Sequence, residues 1–143
     1  MNKCDLAKSI FESGKNCAQA VALAFKDEMG LTEEQISKLI IGFGGGFGRQ
    51  RLVCGAVSGM VMVLGYLLSD GNDKLKAYSI VQDACAEFKQ QLGSLICAEL
   101  LDGVPTTSGV TPEARTTEYY KKRPCAEICQ IAADIADKYI NNK

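Results

Sequence analysis

Apolar residues recur every three to four positions along most of the chain, which is the spacing of amphipathic helices rather than of strands. The pattern predicts three N-terminal helices, over residues 2–13, 16–29 and 32–41. Asn16 is suited to cap the second helix, because its side chain can accept a hydrogen bond from the first turn. Thr32 and Gln35 have the spacing of a capping box at the start of the third.

An uncharged segment in the middle of the chain is predicted to be the central helix of the fold. Residues 52–68 carry no charge, and this length approaches the lower limit of about 17 residues for a membrane span. Three glycines and a serine interrupt the segment, so we expect a buried helix over residues 52–69 instead. Gly55 and Gly59 share one helical face, where the missing side chains leave room for another backbone.

Four further helices are predicted after this segment, over residues 74–92, 94–101, 112–120 and 124–140. Asp73 and Ser94 are candidate caps for the first two, and Pro112 suits the first position of the third. No segment has the alternating pattern of a strand. The sequence therefore predicts an all-α fold, an irregular bundle of roughly six to eight helices around the central apolar helix, in a single domain over residues 1–143.

Composition narrows the range of partners. The net charge is −1, with acidic and basic residues interspersed, so the chain offers no extended field that would attract nucleic acid or anionic lipid. The N-terminus lacks the apolar core of a signal peptide, so we expect a cytoplasmic protein. With no histidine in the chain, a Cys–His pair cannot form, and any metal would need thiolate, carboxylate or backbone oxygen ligands.

The seven cysteines are the strongest chemical signal. Structural disulfides are not expected in a protein that is not exported, and an odd number leaves at least one thiol unpaired. Four of the seven fall in the first turn of a predicted helix, namely Cys17, Cys54, Cys97 and Cys125. Unpaired N–H groups and the helix dipole favour a thiolate there. The thiolate is the form that attacks disulfides and binds metal.

The other three cysteines receive different interpretations. Cys85 lies in an apolar stripe of the helix predicted over residues 74–92, which favours a core position. Cys129 follows Cys125 by one helical turn, so it could be a second ligand, but it also continues an apolar stripe and core packing is favoured. Cys4 lies near a helix start, and both interpretations stay open for it.

A glycine-rich loop over residues 42–48 precedes the central segment. It does not match the Gly-x-Gly-x-x-Gly pattern, and no Gly-Lys-Ser/Thr follows, so a nucleotide site is disfavoured. We expect the loop to bring backbone close to a buried site, or to leave N–H groups facing a thiolate or cluster. The candidate cofactor-binding glycines are Gly44, Gly45, Gly46 and Gly55.

The segment GFGGGFGRQRLVCGAVSG, residues 42–59, resembles the bacterial and archaeal C_GCAxxG_C_C family of redox-active proteins, which is named for its CGAxxG motif. The segments NCAQAV, CAEL and CAEI look like the other cysteine boxes of the family, so the resemblance covers nearly the whole chain. It implies a redox activity, and the export of some relatives implies a bound prosthetic group such as an iron–sulfur cluster. The positions that match the four family cysteines are Cys17, Cys54, Cys97 and Cys125.

Two classes of function remain open. The leading hypothesis is a redox protein whose four cysteines converge, either as a thiol–disulfide centre or as a four-thiolate site for an iron–sulfur cluster or zinc. As an enzyme it would be a thiol-based or metal-dependent oxidoreductase, with a redox partner protein or small molecule and without nucleic acid or membrane. The alternative is a non-catalytic helical binding module whose cysteines are core residues. Chemistry that does not involve cysteine is disfavoured, because no paired acid/base motif is present.

Overall fold

Helices joined by turns make up most of the computed structural model, which describes residues 1–141. Within that range, the extended pairing is one isolated β-bridge between Val53 and Ile96, and the predicted all-α fold class is confirmed. A short 3-10 turn, Ile41–Phe43, follows the fourth helix. The helices are α1 (Lys3–Glu12), α2 (Cys17–Leu23), α3 (Lys26–Met29), α4 (Glu33–Ile40), α5 (Gly44–Phe47), α6 (Gly55–Leu68), α7 (Lys74–Leu92), α8 (Cys97–Leu100), α9 (Thr117–Lys122) and α10 (Cys125–Asn141).

Polar side chains begin several helices at the positions that the sequence marks. The Asn16 side chain accepts a hydrogen bond from the Gln19 N–H (2.9 Å), and the Gln19 side chain accepts one from the Asn16 N–H (3.1 Å). Thr32 and Gln35 form the same reciprocal arrangement at the start of α4. Asp73 caps α7 through its side chain. These caps satisfy N–H groups that have no partner within the helix, so the helix starts are set locally.

The central segment forms α6, which packs against α2, α10 and α7. On the other side of α2 and α10, α1 completes the core. None of the described helices combines the length and apolar character needed to cross a bilayer. The largest fully buried side chains of this core include Phe11, Phe25, Phe88, Ile36, Met60, Leu64 and Ile135.

Two glycines of α6 determine how closely it approaches α2. A Cβ atom on Gly59 would lie 2.7 Å from the carbonyl oxygen of Ala18, and one on Gly55 would lie 3.2 Å from the Ala18 nitrogen. Real Cβ atoms do not tolerate the shorter contact, so α6 can reach this position only with glycine. The close approach expected from the spacing of Gly55 and Gly59 is therefore present, and it brings the first turns of α2 and α6 together.

The structure corrects two predicted helix boundaries near the centre of the chain. The helix predicted over residues 16–29 is divided, because α2 ends at Leu23 and α3 begins at Lys26. Phe25 lies at this bend with non-helical angles (φ −107°, ψ 19°) and is fully buried, so core packing overrides the helical pattern. The helix predicted from residue 52 begins only at Gly55, because the bridge between Val53 and Ile96 holds the preceding residues extended.

Two predicted helix starts in the C-terminal half are also wrong. The helix predicted from Pro112 begins at Thr117, with Thr116 as its cap. Residues 112–115 are irregular because their charged side chains make ion pairs and hydrogen bonds elsewhere in the fold. Ser94 is not a helix cap, since α8 begins at Cys97. Its hydroxyl instead accepts a hydrogen bond from the Ile96 N–H (3.0 Å), and this bond fixes the backbone immediately before α8.

Gly59→Ala is expected to lower the free energy of unfolding by about 1–3 kcal/mol, because the added methyl group overpacks the contact between α6 and Ala18. Gly65→Ala in the same helix is the matched control, since an added Cβ there has no atom within 4 Å. That control is expected to gain about 0.5–1 kcal/mol from helix propensity. Urea unfolding followed by far-ultraviolet circular dichroism measures both. Equal effects of the two substitutions would contradict the close approach.

Candidate cysteine site

The four cysteines selected from the sequence line one cavity of about 390 Å³. Cys17 is the first residue of α2, Cys97 the first of α8 and Cys125 the first of α10, and Cys54 is the residue immediately before α6. Cys17 is partly exposed, and the other three are buried. The four cysteines converge as predicted, because each lies at or immediately before the start of a helix and these helix starts meet at the cavity.

Cys54 and Cys97 are tied together by backbone hydrogen bonds. The Cys54 N–H donates to the Leu95 carbonyl (2.8 Å) and the Cys97 N–H donates to the Leu52 carbonyl (2.6 Å), on either side of the isolated β-bridge. In an antiparallel pair of this register the two cysteines are diagonal neighbours on one side, with Cα atoms about 7–8 Å apart. The bridge therefore turns both side chains toward the cavity.

Cys17 lies at the centre of a second group of thiols. The thiols of Cys125 and Cys129 both shift the pKa of its thiol. The Cys129 thiol also donates a weak hydrogen bond to the Cys17 carbonyl (3.9 Å). Cys129 is fully buried, as its apolar stripe predicted, yet it belongs to this contact group. The start of α10 thus presents two sulfur atoms, one helical turn apart, to the start of α2.

Burial, and not the helix ends, dominates the acidity of the cavity thiols. Burial raises the pKa of Cys54 to about 12, although the N–H groups of Ala56 and Val57 lower it. The pKa of Cys125 is raised by its interaction with Cys17 and by burial, and Arg123 offsets part of this shift. The expectation of low thiol pKa values at these helix starts is wrong for both residues, because the desolvation of a buried thiolate costs more than the first-turn N–H groups return.

The pKa of the Cys17 thiol responds to its two sulfur neighbours in opposite directions. The interaction with Cys125 lowers this pKa, whereas the interaction with Cys129 and burial raise it by more, so the pKa lies well above its ordinary value. The Cys125 thiol therefore favours the thiolate form of Cys17. Of the four cysteines that line the cavity, Cys17 is the partly exposed residue, although its thiol group is buried.

Two cysteines lie apart from the cavity. Cys85 is half-buried on α7 and packs against the core, and burial raises its pKa. Cys4 is half-buried near the start of α1, where burial and the nearby Asp134 and Asp5 carboxylates raise its pKa. Neither residue lines the cavity. The core position predicted for Cys85 is confirmed in this partly buried form.

Arginine side chains line the cavity beside the thiols, and one carboxylate holds three of them. Glu113 forms ion pairs with Arg49 (3.5 Å), with Arg51 (3.9 Å) and with Arg123. These four side chains are between 6% and 19% exposed. Arg49 and Arg51 lie shortly before Cys54 in the sequence, and Arg123 lies shortly before Cys125. Glu113 was not singled out from the sequence, because it lies in the stretch predicted to form the helix over residues 112–120.

An irregular segment, residues 102–116, covers one side of the cavity and is anchored by arginines. Arg49 donates hydrogen bonds to the carbonyls of Thr107 (3.0 Å) and Gly109 (2.8 Å). From within the segment, Arg115 donates to the carbonyls of Phe11 and Lys15, both at 2.9 Å. These charge-assisted hydrogen bonds hold the segment in place, although it lacks the backbone hydrogen bonds of a helix. Arg115 is a second residue of the site that the sequence did not indicate.

The glycine-rich loop forms another wall of the cavity. Gly44, Gly45 and Gly55 line the cavity, whereas Gly46 does not. A Cβ atom on Gly44 would lie 2.3 Å from the Asn16 side chain, so glycine lets the loop pack against the cap of α2. A Cβ atom on Gly46 would lie 2.6 Å from the Leu52 nitrogen. The loop therefore brings backbone close to the site, and a cofactor-binding role for these four glycines stays a prediction.

The backbone next to this loop is strained. Phe47, Arg49 and Arg51 all have left-handed angles, with φ of 56°, 73° and 63°. Such angles are uncommon for residues other than glycine and cost energy that the surrounding contacts must offset. Two of the three, Arg49 and Arg51, line the cavity. The strained backbone therefore occurs where positively charged side chains reach the cavity wall.

The positions of the candidate ligand side chains bear on the predicted metal site. Over residues 1–141, no three His, Cys, Asp or Glu side chains are placed so that they could hold a metal ion. Although four thiols line the cavity, their sulfur atoms do not form a ligand set. The arrangement does not fit a single zinc ion, and an iron–sulfur cluster held by these cysteines stays a prediction from which we derive no chemistry.

The fold and the cavity define a helical protein with a buried cluster of thiols beside arginine side chains. The chain belongs to the C_GCAxxG_C_C family, whose model is described as "Putative redox-active protein (C_GCAxxG_C_C)" and matches residues 15–139. No curated protein matches the chain. No solved structure matches it either. Membership of a redox-active family agrees with a function that depends on the clustered cysteines.

Glu113→Gln is expected to lower the free energy of unfolding by about 2 kcal/mol, because it leaves three partly buried arginines without their shared carboxylate. Glu118→Gln is the control, since Glu118 pairs with Lys122 on an exposed helical surface and should change stability by less than about 0.5 kcal/mol. Denaturant unfolding measures both. Similar small effects would show that Glu113 does not hold the arginines together.

The alkylation rate of Cys54 in the folded protein is expected to rise about tenfold per pH unit between about pH 8 and pH 11, without a plateau. The reason is that its pKa is raised to about 12, so the thiolate remains a minor species over this range. In urea the same peptide should instead level off above its ordinary pKa of 9.0. Timed iodoacetamide labelling with peptide mass spectrometry measures both rates. A plateau near neutral pH in the folded protein would contradict the raised pKa.

Proposed function

We propose that this protein is a thiol–disulfide redox protein in which Cys17 and Cys125 form a reversible disulfide. The observation that carries the proposal is that both cysteines line the same cavity, where each thiol shifts the pKa of the other. Two neighbouring thiols need little backbone movement to reach the geometry of a disulfide. Their positions at the starts of two different helices, α2 and α10, keep the pair in place whether the bond is present or absent.

Cys17 is the attacking residue and Cys125 the resolving residue. Cys17 is a partly exposed residue whereas Cys125 is buried, and the neighbouring Cys125 thiol lowers the pKa of Cys17. Burial and the interaction with Cys17 raise the pKa of Cys125, so Cys125 remains protonated beside the Cys17 thiolate. Arg123 lowers the pKa of Cys125, which helps that thiol to ionise for the second step.

The reaction transfers two electrons and two protons to a disulfide substrate. The Cys17 thiolate attacks one substrate sulfur, the substrate S–S bond breaks, and the departing sulfur takes up a proton to leave as a thiol. Cys125 then loses its proton and attacks Cys17, which forms the protein disulfide and releases the second substrate thiol. A dithiol reductant restores the two protein thiols by the reverse exchange.

Cys54 and Cys97 also line the cavity and are not the first disulfide pair. Their estimated Cα separation of about 7–8 Å exceeds the usual span of a disulfide, so joining them would require the backbone to move. The β-bridge between their segments resists such movement. Catalytic roles for Cys54 and Cys97 therefore remain predictions, and the proposal assigns them to the surface that faces the substrate.

Mild oxidation with diamide is expected to remove two free thiols from the wild-type protein, with the new disulfide mapped by mass spectrometry to Cys17 and Cys125. Cys17→Ser and Cys125→Ser should each abolish this intramolecular disulfide. Cys85→Ser is the matched control, because Cys85 is half-buried outside the cavity, and it should still lose two thiols.

Two results would contradict this assignment. Retention of all wild-type thiols after oxidation would favour the non-catalytic binding module, with the cysteines as core residues. A disulfide that joins Cys17 to Cys129 instead of Cys125 would retain redox chemistry but overturn the proposed pair. Non-reducing peptide maps separate the two results.

A further inference from the structure

The cavity carries more positive than negative charge. The charged residues that line it are four arginines and a single carboxylate, Glu113. Three of the arginines share that carboxylate. Because these groups are largely sheltered from water, the uncompensated charge is screened less than it would be at the surface. An anionic ligand would therefore be favoured in this cavity over a neutral one.

The hydrogen-bond partners distinguish one arginine from the other three. Arg49 and Arg115 bind backbone carbonyls, and Arg123 binds Glu113. Arg51 makes one weak hydrogen bond, from Nη1 to the Cys97 sulfur (3.7 Å), and its Nη2 atom lies 3.9 Å from Glu113, which is an ion pair beyond hydrogen-bond distance. Its Nη2 atom is buried and has no hydrogen-bond partner. A guanidinium group carries five N–H donors, so Arg51 is the residue with donors left for a ligand.

Arg51 lines the cavity together with the four cysteines, so a ligand in the cavity lies next to its guanidinium. Gly45 lies under the side chain, and a Cβ atom there would be 3.8 Å from the Arg51 Nη1 atom and 3.0 Å from the Arg49 Cγ atom. The contact with Cys97 places the Arg51 guanidinium at the wall formed by the β-bridge. Apolar residues, including Leu100, line the rest of the cavity, which suits a ligand with one acidic end.

We infer that the cavity binds small acidic disulfides, with a substrate carboxylate held by the free donors of Arg51. A carboxylate matches the planar, two-pronged geometry of a guanidinium. The inference rests on the proposed function for its chemistry. The substrate S–S bond breaks, two electrons and two protons pass from Cys17 and Cys125 to the two substrate sulfurs, and the protein disulfide forms. Arg51 binds the substrate and takes no part in the electron transfer.

A pair of chromogenic disulfides tests this selectivity. Dithiobis(nitrobenzoate) carries two carboxylates, whereas dithiodipyridine is neutral, and both report protein disulfide formation by absorbance. Arg51→Asn is expected to slow the acidic reagent about tenfold, the effect of losing one charge-assisted hydrogen bond, and to change the neutral reagent less than about twofold. Asparagine is chosen because it tolerates the left-handed backbone of position 51.

Lys74→Gln is the charge-matched control, since Lys74 is exposed at the start of α7 and lies outside the cavity. It should leave the ratio of the two rates unchanged. An equal slowing of both reagents by Arg51→Asn, or no slowing, would overturn the carboxylate site.

A binding measurement separates failure of this inference from failure of the proposed function. The Cys17→Ser/Cys125→Ser double variant cannot form the disulfide, so calorimetric titration with benzoate and with its neutral analogue benzamide reports binding alone. Benzoate is expected to bind more tightly than benzamide, and Arg51→Asn in the double variant should remove the difference. Equal affinities would overturn the anion site even if the wild-type disulfide forms. A benzoate preference without wild-type disulfide formation would overturn the redox chemistry and leave the anion site standing.

Discussion

The close approach of α6 to α2 is the contact on which the site depends. Gly55 and Gly59 allow the backbone of α6 to lie against Ala18, which immediately follows Cys17. With a larger residue at position 59, the two helix starts would separate, and the thiols before α6 and at the start of α2 would no longer face one cavity. A packing constraint thus determines where the thiols lie, because the sulfur atoms are carried by backbone whose position the glycines determine.

Within that frame, the cavity combines two opposing influences on a thiol. Burial keeps the thiols protonated, as the raised pKa values of Cys54 and Cys125 show. The guanidinium groups provide fixed positive charge beside the thiols, and a single carboxylate, Glu113, holds three of them together. The chain has no histidine, and the positively charged side chains that line the cavity are all arginines, which stay charged at any physiological pH. The thiols therefore stay protonated and weakly nucleophilic as long as this environment does not change.

Local signals in the sequence predicted much of this arrangement. The cap at Asn16 and the cysteine positions at helix starts depend on neighbouring residues, and the structure contains them. The low pKa values predicted for the thiols were wrong, because the burial of Cys54 depends on the packing of the whole fold. Glu113 and Arg115 were missed because Pro112 resembles a helix start locally, while their partners lie elsewhere in the chain. Interactions between distant segments decided each of these cases.

The left-handed residues of the turn at positions 47–51 have a consequence for how this protein can change. Each such residue other than glycine costs about 1–2 kcal/mol relative to an ordinary backbone conformation. Replacement of Arg49 or Arg51 by glycine would relieve that strain, yet it would remove a guanidinium from the cavity wall. Such a replacement would also break the hydrogen bonds and ion pairs of that arginine, so the strain of this turn cannot be removed without loosening the cavity wall.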